Sequence, residues 1–121
     1  MKDFNISVLG EQWEVRIRHE QDEPRLIGCD GFCDWTSRTI VIDDSRSESN
    51  LDVPEAFLKK VLRHEVIHAF FRESGLAESF WPCGMAEAEE IMTDWIAVQL
   101  PKLERTVSTA ESLLESAMRG E

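Results

Sequence analysis

The sequence predicts an α+β fold: a small N-terminal sheet, antiparallel or mixed, followed by helices that pack on it. Three observations carry this expectation. Apolar residues alternate at period two through residues 4–18, and a β-branched run follows at Thr39-Ile40-Val41-Ile42. Between Asp52 and Gly75 the spacing turns helical and strongly apolar. From Leu103 onward, Val107, Ala110, Leu114 and Ala117 recur at helical spacing with polar residues between them. The 121 residues suit one domain, mostly β over 1–50 and mostly α over 51–121.

Taken in order, Ile6 and Val8, then Trp13, Val15 and Ile17, mark two half-buried strands over 4–9 and 12–18, turned at Gly10-Glu11. Residues 19–25 are polar and contain Pro24, so a loop is expected there. The stretch Leu26 to Asp43 reads as a hairpin, its second strand the β-branched run, and the polar residues 44–50 as a linker. A helix should begin near Asp52, with Asp52 as its cap, Glu55 three residues on and Pro54 in the first turn. It should stop at Gly75. Phe57, Leu58, Val61, Leu62, Val66, Ile67, Ala69, Phe70 and Phe71 make it apolar on most sides, which predicts a helix buried with its two histidines. Residues 76–84 read as a loop, and Met85 to Leu100 as a second helix ended by Pro101. The amphipathic segment after Pro101 is then a third helix, and the last dozen residues are the part expected to lack order.

Composition narrows the function classes. A net charge of −11 with 31% charged and 42% hydrophobic residues describes an ordinary globular chain that repels phosphate backbones, so nucleic acid is not an expected partner. No apolar run is long enough for a membrane span, and the N-terminal residues do not resemble a secretion signal. The three cysteines, Cys29, Cys33 and Cys83, are an odd set that suggests reduced thiols, hence a cytoplasmic protein.

The chemistry concentrates in His64-Glu65-Val66-Ile67-His68. Histidines four apart on a helix project from one face, one turn apart, and can share a tetrahedral Zn²⁺. Glu65 follows the first histidine and is turned about 100° from it. In the HExxH pattern such a glutamate is the general base of a metal-assisted hydrolysis. A hydrolytic zinc needs a third protein ligand, and Glu90-Ile91-Met92-Thr93-Asp94 offers a glutamate and an aspartate on a common face. Glu90 would complete the ligand set and Asp94 would accept the second ring N–H of a ligand histidine. Twenty-two residues separate His68 from Glu90, enough for a turn and an antiparallel return. Glu87, nearly on the same face, is an alternative ligand, whereas Glu89 is turned away. Cys29 and Cys33, with Cys83, offer a weaker alternative metal set. Trp13, Trp35, Trp81 and Trp95 read as core rather than as a ligand platform.

HExxH followed by ExxxD resembles the gluzincin arrangement of thermolysin-like peptidases in a minimal form. More closely, Cys29–Asp34, Thr39–Asp43, Arg63–Phe70 and Glu89–Ala97 resemble small phage-type and prophage-type zinc metallopeptidases of the ImmA/IrrE-like group, over about residues 26–104. The resemblance implies zincin-like active-site helices packed on the sheet, His64, His68 and Glu90 on zinc, Glu65 as base and Asp94 behind the ligands. It also implies a protein or peptide substrate, held by strand addition along an edge strand expected at residues 38–43. Many zinc peptidases steady the oxyanion with a tyrosine or extra histidine. This chain has no tyrosine, which leaves His19, Arg38 or a backbone N–H for that task. Two other readings stay open: a zincin-fold binding or regulatory module with little turnover, and a metal-free protein whose C-terminal helix docks on a partner.

Overall fold

The computed structural model describes residues 2–79 and 85–121, the side chains of Ser79, Met85, Ala86, Glu89, Glu90, Thr93, Asp94 and Ala97 excepted. The fold is α+β, as the sequence predicts. Strands β1 (Phe4–Val8), β2 (Glu11–Arg18), β3 (Gly31–Asp34) and β4 (Thr39–Asp43) are followed by helices α1 (Pro54–Glu73), α2 (Leu76–Ser79) and α3 (Met85–Met118).

β1 and β2 form a tight antiparallel hairpin with Val8 paired to Glu11. Its two loop residues, Leu9 and Gly10, both have positive φ, 50° and 88°. That geometry matches the twist of the strands it joins and suits glycine at the second position. β2 pairs in parallel with β4, and β4 is antiparallel to β3, giving the order β1-β2-β4-β3. The expected edge strand at 38–43 is therefore internal. The edges are β1 and β3, because β4 inserts between β2 and β3 and uses both of its own hydrogen-bonding sides. Burial follows from this: Thr39, Ile40, Val41 and Ile42 are all buried, as in a central strand covered on both faces.

Register assigns the faces. Ile40 and Ile42 stand opposite Val15 and Ile17 on one side, and opposite Cys33 and Gly31 on the other. These residues share the face on which the helices pack. Val41 and Phe32, offset by one, share the opposite face. There Leu26 is fully buried. Leu26, expected to open a strand, instead ends a 3₁₀ turn over Pro24–Leu26 that begins in the expected loop. Pro24 lacks the N–H that a ladder would need, and the turn lets Leu26 cover β4.

α1 is less uniformly buried than its composition suggests. Leu58, Val61, Leu62, Glu65, Val66, Ala69 and Phe70 are buried, a stripe at helical spacing, while His64 and His68 are exposed. The N-cap is Val53 with no side-chain cap, so Asp52 does not cap the helix; Pro54 does occupy the first turn. α1 packs on β1, β3 and β4, and α3 packs on α1 and β1. Leu76, in the segment expected to be loop, is buried at the start of α2.

α3 is one helix and contains Pro101. The sequence signal for a break is overridden: proline removes one hydrogen bond to the carbonyl four residues back, and packing on both sides supports the helix. On the far side of Pro101, Ala110 and Leu114 are fully buried and Ala117 nearly so, so the last dozen residues are ordered helix rather than tail. Arg63–Glu111 and Lys59–Glu115 ion pairs also join α1 to this half.

Candidate metal centre

α1 brings together the residues that the spacing predicts. The Nε2 atoms of His64 and His68 lie 3.1 Å apart. The ligand atoms of His64, Glu65 and His68 all lie within 4.8 Å of one another. Two nitrogens bound to one tetrahedral zinc, at about 2.0–2.1 Å each, stand about 3.3–3.4 Å apart. The imidazole pair is therefore already close to the bite of a first-row metal, and its nitrogen donors suit zinc. His68 is biased toward the neutral, ligating form: partial burial, then His64, then Arg72 hold its pKa below the ordinary value.

Glu65 differs from both histidines. It belongs to the buried stripe and retains 4% of its surface. No described residue donates a hydrogen bond to it. Burial alone raises its pKa from 4.5 to about 7. The histidines were expected to be the buried groups and are not; Glu65 is. The reason is the 100° step between successive residues: once Val61, Val66 and Phe70 face the sheet, Glu65 falls within their arc, whereas His64 and His68 fall outside it.

β3 closes over this carboxylate. A Cβ on Gly31 would stand 3.0 Å from the Val41 carbonyl oxygen, 3.0 Å from Val61 Cγ1 and 3.4 Å from Glu65 Cγ. Only a residue without a side chain lets the edge strand approach α1 this closely. On either side lies a depression. One, of about 240 Å³, is bordered by Cys29, Asp30, Gly31, Lys60, His64 and Glu65, among others. The second, of about 200 Å³, is bordered by Cys33, Glu65, His68 and Arg72.

Cys29 and Cys33 are free thiols, and neither joins a metal-holding group among the described residues. Cys33 faces α1 and is pushed up to about 12, by burial first and then by Glu65, so it is a neutral wall rather than a thiolate. Cys83 and Trp81 lie outside the described residues. Trp13 is core, at 1% exposure, but Trp35 is 55% exposed and lies beneath the Arg72 guanidinium, 5.6 Å from its ring centre.

The N-terminal half of α3 reaches the same end of α1. Trp95 Nε1 donates to Ser74 Oγ at 3.0 Å, and its ring meets Phe71 edge-on at 5.0 Å. Glu90 and Asp94 are on this half, their side chains outside the described residues, as is that of Glu89; Glu87 is exposed. His19 and Arg38, the expected oxyanion candidates, border neither depression. His19 lies with Asp44, Arg46 and Glu55. Arg38 donates from Nε to Glu73 Oε1 at 2.7 Å. Sequence reasoning missed Arg72, although it follows His68 by one helical turn and therefore had to share its face.

No known protein family, curated protein or solved structure gives a significant match to this chain.

Proposed function

We propose that this chain is a zinc-dependent peptide-bond hydrolase in which His64, His68 and Glu90 hold the metal, Asp94 supports a ligand histidine and Glu65 is the general base. The observation that carries the reading is the meeting of two histidine Nε2 atoms at 3.1 Å beside the largely buried Glu65. Bound zinc supplies Lewis acidity, acidifying water and polarising a peptide carbonyl. Glu65 accepts the proton of the attacking water and passes it to the departing amine. The close approach of Gly31, whose Cβ position is 3.4 Å from Glu65 Cγ, limits the room in which the side chain can move. The substrate backbone adds to the free edge of β3, which runs past Glu65, in place of the internal strand 39–43.

Among the described residues no helix is long and apolar enough to cross a membrane. Free Cys29 and Cys33 favour a cytoplasmic setting. The net charge of −11 favours a protein substrate over nucleic acid.

Metal analysis tests the reading. One zinc per chain is expected, lost in His64→Ala and Glu90→Ala and retained in Glu65→Gln, with cleavage lowered about 10²–10⁴-fold in the last. Absence of metal after zinc is supplied at neutral pH would remove the hydrolase reading. The lack of tyrosine in the chain, with His19 placed at another depression and Arg38 bonded to Glu73, favours a second reading: a zincin-fold binding module with little or no turnover. It predicts that Glu65→Gln leaves the biological effect unchanged.

A further inference from the structure

We propose that Arg72, braced on the face of Trp35, binds a carboxylate of the substrate peptide about three residues from the bond held at His64 and His68. This rests on the peptide-site reading above and adds a substrate class to it.

The first support is a cation that pairs with no carboxylate among the described residues. The chain has nine arginines, and seven stand in ion pairs with carboxylates. Among the described residues Arg72 and Arg105 have no such partner, and Arg72 is the one that borders the candidate site, sharing a depression with Glu65 and His68. An arginine that meets no carboxylate among the described residues has donors available to another group.

The second support is the way it is held. The guanidinium lies over an exposed tryptophan, 5.6 Å from its ring centre, and Arg72 is itself exposed. The edge of a guanidinium is the part that takes a carboxylate through two parallel hydrogen bonds. Trp35 itself follows directly on β3, so any chain laid along the β3 edge passes it.

The third support is distance. Six residues of helix, from the midpoint of the histidine pair to Arg72, span about 9 Å. An extended chain covers that in about three residues. Two sources supply this chemistry: an acidic side chain or a free C-terminal carboxylate.

The test is calorimetric binding to the full-length, zinc-supplied Glu65→Gln protein, which removes turnover from the readout. The probes are acetylated alanine-based octapeptides with one Asp or Asn at each position in turn, each made as the C-terminal acid and as the amide. The charged member of a matched pair should bind at least about tenfold more tightly. Arg72→Ala should abolish that preference without altering affinity for the Asn amides, and Arg72→Lys should restore it only in part. A preference that follows an internal Asp assigns the side chain; one that follows acid against amide assigns the terminus. Arg72 is exposed, so its replacement should leave the fold intact, which circular dichroism checks. Equal binding of charged and neutral peptides, a preference surviving Arg72→Ala, or no binding of any probe would overturn the proposal. So would, in protein with Glu65 intact, an Arg72→Ala defect in kcat shared by every peptide, which would place the guanidinium at the reacting carbonyl. Zinc content is read separately. A zinc-free protein with an Arg72-dependent acid preference would sink the hydrolase and keep this site, whereas a zinc enzyme blind to the carboxylate would do the reverse.

Discussion

Removing the charge from Glu65 should change how stability depends on pH, in a direction opposite to that of most carboxylates. In the metal-free protein Glu65 has a pKa raised from 4.5 to about 7 by burial. The folded state therefore holds its proton more tightly than the unfolded chain. Stability from this group is full below about pH 4.5 and is lost as pH climbs through about 7. At about 1.36 kcal/mol per pKa unit, the shift sets a ceiling of roughly 3 kcal/mol. Water in the two flanking depressions screens the carboxylate and brings the expected figure to about 2 kcal/mol. Glu65→Gln removes this titration. The measurement is urea unfolding of both proteins in the presence of a chelator, at pH 4.5 and pH 8. The stability difference, variant minus wild type, should grow by about 2 kcal/mol between the two conditions. Comparing the two pH values cancels the constant cost of burying an amide. A difference independent of pH would show that the Glu65 carboxylate is as well hydrated in the folded state as in the unfolded chain, and the account of a desolvated carboxylate would fail.

Two further outcomes follow from the packing. Gly31→Ala should destabilise by about 1–3 kcal/mol in chemical denaturation, because its methyl meets a backbone carbonyl and Val61 at 3.0 Å. A neutral result would mean that β3 can lift from α1 without loss. Glu73 accepts hydrogen bonds from the buried Trp13 indole at 2.8 Å and from Arg38 at 2.7 Å. Glu73→Ala should cost about 1–3 kcal/mol by leaving the indole N–H unpaired, and Glu73→Gln less. Arg38 first, and then Trp13, hold the Glu73 carboxyl below its ordinary value of 4.5. Its stabilisation is thus full above about pH 4.5 and fades as pH falls through the lowered value, so the gap between wild type and Glu73→Gln should close in acid. A gap that widened there would contradict the geometry.

Local periodicity carried much of the architecture. Period-two alternation located β1 and β2, and the Gly10 turn joined them as expected. The same logic located helix α1 and its stop at Gly75, and put His64 and His68 on one face, since their relation depends only on the helical repeat. Residue chemistry on a single element is legible in this way because nothing beyond neighbouring residues enters. The orientation of that element was not legible. Nine apolar residues on α1 left the inward side open, and only packing on β3 and β4 decided that Glu65 would be buried and both histidines exposed. Strand order behaved similarly: alternation says which residues share a face of a strand, not which strand lies beside it. Thr39–Asp43 therefore proved central and Gly31–Asp34 the edge at the site. Pro101 shows the limit from the other side, a reliable local break signal outweighed by the burial of Ala110 and Leu114 beyond it. The sequence by itself determined which chemical groups stand one turn apart. The tertiary structure alone decided which of them are buried, that Cys33 and Arg72 border them, and that β3 lies at the sheet edge. Burial and proximity between distant segments arise from contacts that no local repeat encodes.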